Sequence, residues 1–489
     1  MISEHAVARL LATRSMLENA VACGNKIYGV NTGFGALSET EIANHELRQL
    51  QNNLLRSHAI GVGPVFDETI VRVLLLLRAH TLSLGASGVS PNVPKALLNF
   101  LNLGIIPVVP SQGSVGASGD LAPLAHLALP LIGEGEVFWK NRRLPASQVL
   151  STLSIAPLEL GAKEGLSLIN GTQVSSGITA LALLNACELI QTADIIGALS
   201  LDASLGTATI CDPRIHAGKP HNGQIQSANN IAQLLVDSRL NQSHAACGRI
   251  QDAYSFRCMP QVHGSVRQAI QYALSAVQVE INSFTDNPLI LDRPEGGFDV
   301  ISGGNFHAAA VALPADHCAA ALTTLATISE RRLDRFMNSS TSNGLPAFLA
   351  NNPGLESGFM MAQVTASALA SECKAMSFPA SVDTIPTSAG KEDHVSMGPI
   401  AARKFKVITR NVAHVLSIEA AIAARALDLR EFPTSPALVR VHNAIRKHVA
   451  PFDGDRSMTY EIEALASSIL DGDLRRAAGL PHEIHGFIE

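Results

Sequence analysis

The chain is predicted to be mainly α, with a loop-rich N-terminal region over residues 1–190. A bundle of long antiparallel helices with a C-terminal helical tail is predicted to follow over 191–489. Three observations predict this. Apolar residues make up 47% of the 489 positions and charged residues only 16%, against about a quarter in an average domain. So little charge requires many surfaces to be buried against one another. Apolar residues also recur at helical spacing over stretches longer than twenty residues, while strand-like alternation is rare.

Taken in order, the first part alternates short helical runs with Gly/Pro-rich segments at Gly29–Gly35, Gly61–Pro64, Gly104–Gly119 and Gly133–Gly135. Glu68–Leu84 reads as a helix. Gly177–Ser200, Val266–Ser283, His307–Arg335, Gly358–Ser377 and Pro399–Arg430 follow, each with apolar residues on a 3.6-residue period. The best strand candidates are Gly135–Leu144 and Asn287–Val300, the latter around a Pro-Glu-Gly-Gly turn. No solenoid repeat or low-complexity tract is present. Aromatic residues are only 4%, so the core is expected to consist of Leu, Ala, Ile and Val.

A net charge of −6 without a Lys/Arg block argues against nucleic acid as a partner. The start, Met-Ile-Ser-Glu-His, lacks the basic and apolar regions of a signal peptide. The apolar stretch Ile178–Leu199 contains Glu188 and Asp194, which favours a buried helix over a membrane span. Seven scattered cysteines (23, 187, 211, 247, 258, 318 and 373) without a C-x-x-C pair fit reduced thiols in a cytosol. A cytoplasmic protein with no membrane partner is expected. No metal site is expected: Glu392-Asp393-His394 reads as a helix cap or an incomplete ligand set, and His482-x-x-His485 as an exposed tail.

The chemistry concentrates in Gly113-Ser-Val-Gly-Ala-Ser-Gly-Asp-Leu-Ala-Pro-Leu-Ala-His126. Gly119 lacks a Cβ, so its amide nitrogen can approach the carbonyl carbon of Ala117. Ring closure with loss of water, followed by loss of the Ser118 hydroxyl, would give an alkene conjugated to a carbonyl. No ordinary side chain is electrophilic in that way. The same residues also describe a tight turn into a helix with Asp120 at or near its N-cap, and Ala86-Ser87-Gly88 is the same tripeptide without the flanks.

Seven segments occur in order. They are Tyr28-Gly-Val-Asn-Thr-Gly-Phe-Gly35, Ser57-His58-Ala-Ile-Gly-Val-Gly63, the segment around Ser118, Leu168-Ile-Asn-Gly-Thr-Gln173, Gln251-Asp-Ala-Tyr-Ser-Phe-Arg-Cys258, Gly303-Gly-Asn-Phe-His307 and Glu392-Asp-His-Val-Ser-Met397. Together they resemble the histidine and aromatic amino acid ammonia-lyases over nearly the whole chain. The resemblance implies that Ala117, Ser118 and Gly119 cyclise to 4-methylidene-imidazole-5-one (MIO), with no external cofactor. It also implies a homotetramer in which each active site draws residues from three subunits.

The reaction so implied must improve a poor leaving group, remove a β-proton, hold a carboxylate and orient a ring. Arg257 has the planar fork for the carboxylate. Asn170 would donate to that carboxylate or to the prosthetic carbonyl. Tyr28 and Tyr254 are the acid/base candidates, provided that their surroundings favour proton transfer. His58, in the histidine-type pair Ser57-His58, would hydrogen-bond a substrate imidazole, and Met360 also matches histidine-type members. Glu392 would accept the ring N–H, Phe306 would line the ring pocket, and Gln251 would tie the site together.

Two positions depart from the histidine-type pattern: Ala309 stands where an acid is usual, and Lys391 would pair with Glu392. The implied activity is elimination of ammonia from L-histidine to give trans-urocanate. The alternatives are a tyrosine or phenylalanine ammonia-lyase, an aminomutase with the same prosthetic group, and a non-catalytic homologue. A serine hydrolase is disfavoured because the run has no G-x-S-x-G elbow.

Overall fold

The computed structural model describes residues 2–483 and divides into two compact units. The first comprises the chain through Leu181 together with Ala276–Leu313 and Pro379–Arg403. The second comprises Ala182–Ser275, Pro314–Phe378 and the chain from Lys404 onward. The units are therefore discontinuous, unlike two successive halves meeting near residue 190. Two distant segments return to the first unit, and such long-range returns leave no local mark in a sequence.

The first unit contains helices α1 (Glu4–Ala22), α2 (Leu47–His58), α3 (Glu68–Ser83), α4 (Asn92–Leu103), α5 (Leu121–Ala128), α6 (Ala146–Thr152), α7 (Glu164–Ile169) and the beginning of α8 (Gln173–Ala203). α3 starts where the Asp67 side chain accepts from the Ile70 amide, which satisfies one of the orphan donors of a helix start. It buries Ile70, Val71, Leu74, Leu75, Arg78 and Leu82, a stripe with helical spacing. α4 ends at Gly104, whose φ of +64° permits the left-handed cap.

Three small antiparallel sheets complete the unit. β1 (Val62–Val65) pairs with β3 (Pro110–Gln112), placing Val62 opposite Gln112. β2 (Ile106–Pro107), β4 (Glu136–Trp139) and β5 (Arg142–Pro145) form a three-stranded sheet. β6 (Leu289–Asp292) pairs with β7 (Phe298–Ile301), Leu289 opposite Ile301. Both hairpins fall where alternation predicted them. The core gathers Leu74, Leu75, Leu97, Leu124, Leu166 and Ile178, among others, and is aliphatic as composition required.

The second unit is helical, with long segments in Met259–Ile281, Ala309–Met337 and Gly398–Asp428. Several of its charges are paired in the interior. Arg332 pairs with Glu419 at 2.6 Å, Arg267 with Asp194 at 3.0 Å and with Glu483 at 2.8 Å. His482, expected to be exposed, instead pairs with Glu188 at 2.7 Å because that carboxylate lies within its reach. His485 lies outside the described residues. Three helical stretches, Glu164–Ala203, Ala309–Met337 and Gly398–Asp428, are long and apolar enough to cross a membrane by length and composition. Most of each apolar window is buried inside the protein.

Candidate active site

The loop between β3 and α5 carries Ala117-Ser118-Gly119. It is held from one side by the segment after Glu392: Met397 N–H donates to the Val115 carbonyl at 2.9 Å, and Ser396 Oγ to the Gly116 carbonyl at 3.1 Å. Ala117, Val395 and Met397 form a small buried cluster behind it. From the other side comes the break between α7 and α8. There the Asp120 N–H donates to the Gly171 carbonyl at 2.8 Å.

Gly119 sits at φ +83°, and a Cβ added to it would lie 2.5 Å from both N and O of Gly171. Only glycine occupies that position without displacing backbone. The Ser118 hydroxyl donates to Glu392 Oε1 at 2.7 Å, and the Ser118 carbonyl accepts from Asn170 Nδ2 at 2.9 Å. The partner of this hydroxyl is thus a carboxylate rather than an imidazole, which does not suit a serine hydrolase. Asn170 Oδ1 is buried with no hydrogen-bond partner, an acceptor left over for a ligand. A Cβ-free cradle at Gly119, a hydroxyl held by an acceptor and a carbonyl held by a donor all fit the cyclised group.

Asp120 occupies the N-cap position of α5 but makes no side-chain bond to that helix. Its carboxylate accepts instead from the Ser175 N–H at 2.7 Å and Oγ at 2.9 Å, so it caps α8. Two donors converge there, and a fully buried acid takes both. Burial pushes its pKa up to about 7 against those hydrogen bonds.

Two cavities of about 810 and 520 Å³ adjoin Ser118 and share Tyr28, Gly35, Ser118, Asn170 and Glu392 in their walls. The larger adds Phe306, His307, Asn287, Lys391 and His394. The smaller is more apolar and adds Phe34, Leu54, Leu121, Ser57 and His58. Tyr28 Oη accepts from the Gly35 N–H at 3.3 Å, which leaves its own proton free for transfer.

Glu392 Oε2 accepts from Thr387 Oγ1 at 2.6 Å, and Thr387 and Glu392 close a tight backbone loop around Gly390. Both carboxylate oxygens are therefore taken by hydroxyls, and the expected pairing of Lys391 with Glu392 does not form. Ala309 begins the helix Ala309–Met337.

His58 ends α2, where its Nδ1 lies 2.9 Å from the Leu54 carbonyl and 3.0 Å from Ser57 Oγ. A carbonyl only accepts, so Nδ1 carries the hydrogen and Nε2 is left as an acceptor. Burial lowers the imidazole pKa, while the Leu54 bond and the charge of Glu392 oppose the shift.

Gln251, Tyr254, Arg257 and Met360 belong to the second unit and line neither cavity. Tyr254 is 70% exposed, and the Arg257 guanidinium lies 4.7 Å from its ring centroid. Met360 opens the helix Met360–Met376 at 36% exposure.

Sequence reasoning missed Asn287, His307 and His394 as cavity residues. The rings of His307 and His394 stack with centroids 5.7 Å apart. The polar run Thr285-Asp-Asn287 before Pro288 was the readable signal for the first of these.

The fold and this cleft define a class. The aromatic amino acid lyase family profile matches residues 1–447, and the chain belongs to that family. It is a carbon–nitrogen lyase, and its sequence relatives include histidine ammonia-lyases. It is 49% identical to the histidine ammonia-lyase of Koribacter versatilis, over 98% of this chain and 95% of that one. It is likewise 49% identical to that of Sorangium cellulosum, over 97% and 93%. Among solved structures, the histidine ammonia-lyase of Trypanosoma cruzi superposes with a TM-score of 0.90 at 39% identity, covering 99% of this chain and 91% of that one. The tyrosine aminomutase of Streptomyces globisporus gives 0.92 at 37% identity, covering 98% and 93%.

Proposed function

We propose that the protein eliminates ammonia from L-histidine to give trans-urocanate. The observation that supports this best is Ser118, held between Asn170 and Glu392 at the junction of two cavities, one of which carries His58 with its Nε2 free to accept. MIO, formed from Ala117-Ser118-Gly119 by loss of two waters, supplies an electron-poor alkene that makes the amine a competent leaving group.

The chain's own residues do the rest. Asn170 holds the Ser118 carbonyl through Nδ2. Departure of the Ser118 hydroxyl frees Glu392 Oε1, which then accepts one imidazole N–H of the substrate. His58 Nε2, at the opposite, apolar end, accepts the second ring N–H of the imidazolium form, and Phe306 bounds the ring. Tyr28 moves a proton at its Oη, with Tyr254 as the second acid/base group. Arg257 grips the carboxylate, Gln251 orders the pocket and Met360 contacts the ring.

In this reading the last four residues come from neighbouring subunits of a homotetramer. Exposed Tyr254 and Met360 support this, as does the low overall charge. A cytoplasmic location accords with seven free cysteines.

Ultraviolet assay of L-His, L-Tyr and L-Phe side by side tests the substrate. Urocanate should dominate, and robust coumarate or cinnamate without urocanate would refute the assignment. Mixing inactive Ser118→Ala with inactive Tyr254→Phe should restore activity if sites are shared between subunits. Likeness to the tyrosine aminomutase favours one second reading, return of ammonia to the β-carbon. A β-amino acid detected by chromatography would establish it.

A further inference from the structure

Arg78 lies on the apolar face of α3, and its side chain is completely buried. Its guanidinium donates from Nε to the Ser167 carbonyl at 2.9 Å, and from Nη2 to that carbonyl and to the Asn170 carbonyl at 3.0 Å. Nη1 donates to Gln173 Oε1 at 2.6 Å. The nearby carboxylates are committed elsewhere, Asp286 to Lys163 at 2.8 Å and Asp120 to Ser175. Burial accordingly pushes the Arg78 pKa down to about 10. Holding a guanidinium this way is costly unless its hydrogen bonds are excellent.

All of those bonds converge on residues 167–173, the break where α7 stops and α8 starts. From that break Asn170 reaches the Ser118 carbonyl, and Gly171 lies against Gly119. Side chains of the break anchor it at other points, Thr172 Oγ1 donating to Glu280 Oε1 at 2.5 Å and Ser167 Oγ to the Ser87 carbonyl at 3.4 Å, whereas Arg78 holds the carbonyls of Ser167 and Asn170. Gln173 is itself tied to Thr81 and Thr285.

We propose that Arg78 is a positioning residue that locks Asn170 and Gly171 against Ser118 and Gly119, so that the Ala-Ser-Gly segment can convert and the finished site can turn over. This rests on the proposed prosthetic group. Arg78 touches neither cavity, so it acts through residues 170 and 171 alone. A small drift of those two residues would misplace both the donor and the cradle, and a misplacement of about 1 Å can cost about a hundredfold in rate. Lysine replaces the fork only in part, because it offers a point charge rather than planar, divergent donors.

The test uses Arg78→Lys and Arg78→Gln in the full chain. It reads intact mass, kcat and KM on L-histidine, and thermal unfolding. The wild-type chain should be two waters lighter than encoded. Arg78→Gln should lose at least tenfold in converted fraction or in kcat per converted site, with KM changed less than threefold, and Arg78→Lys should recover part of the loss. Wild-type kcat and full conversion in both variants would overturn the role of Arg78 alone, whatever their melting temperatures. A wild-type chain at its encoded mass would overturn the prosthetic-group reading and this proposal with it. If both variants fail to fold, Gln173→Met removes one acceptor and should lower kcat or conversion severalfold at constant KM. No change there overturns the proposal.

Discussion

Replacing Glu392 by glutamine separates substrate recognition from chemistry. The carboxylate sits with Oε2 fixed by Thr387 and Oε1 facing Ser118. Glutamine keeps its shape but removes its charge. A hydrogen bond to a charged acceptor is worth about 1.5–3 kcal/mol and a neutral one about 0.5–1.5 kcal/mol, so the change costs about 1–2 kcal/mol. That corresponds to about a 5- to 30-fold fall in kcat/KM for L-histidine, whose ring N–H the carboxylate is proposed to accept. L-Phenylalanine has no ring N–H and should lose little, so the preference for histidine should narrow by the same factor. The assay is steady-state kinetics on both substrates, normalised by mass spectrometry to converted chains, because the same carboxylate holds the Ser118 hydroxyl. Equal losses on the two substrates, or none on L-histidine, would refute the reasoning.

Other outcomes follow from the same geometry. Ser118→Ala should keep a cooperative unfolding transition and its encoded mass yet lose nearly all turnover; retained activity would count against the electrophile. Gly119→Ala forces a Cβ into Gly171 at φ +83°, so backbone strain of about 1–3 kcal/mol plus the clash should lower the melting temperature and block conversion. A converted, undestabilised variant would contradict this. His58 has a folded pKa below its unfolded value, so its stabilising contribution is present above about pH 6.5 and is lost as pH falls toward the folded value. The wild-type minus His58→Gln difference in unfolding free energy should therefore rise between about pH 5 and pH 7; a flat difference would refute it.

Much of this was legible in the sequence, for physical reasons. Glu68–Leu84 and Pro399–Arg430 were readable because a helix burying one stripe must repeat every 3.6 residues, and the observed helices Glu68–Ser83 and Gly398–Asp428 follow those limits closely. Tyr28, Ser118, Asn170, Phe306 and Glu392 share one cavity wall, although they are scattered over more than 360 positions. Motif order pointed to them where no local periodicity could.

What stayed hidden is long-range. Asp120 looked like the cap of its own helix, but two donors from α8 reach its carboxylate. In the sequence Arg78 is one charged residue within Leu-Leu-Leu-Leu-Arg-Ala-His. Its place on the 71, 74, 75, 78, 82 face shows that it points inward, yet nothing local says which carbonyls it meets. The return of 276–313 and 379–403 to the first unit likewise depends on contacts that no window of sequence contains.

The central claim concerns three residues, and a peptide map of the fragment spanning Ala117 to Gly119 from active protein tests it directly. Tandem mass spectrometry should find that fragment short of two waters, with the deficit confined to positions 117–119. An unmodified Ala-Ser-Gly peptide from protein that still releases urocanate would contradict the account.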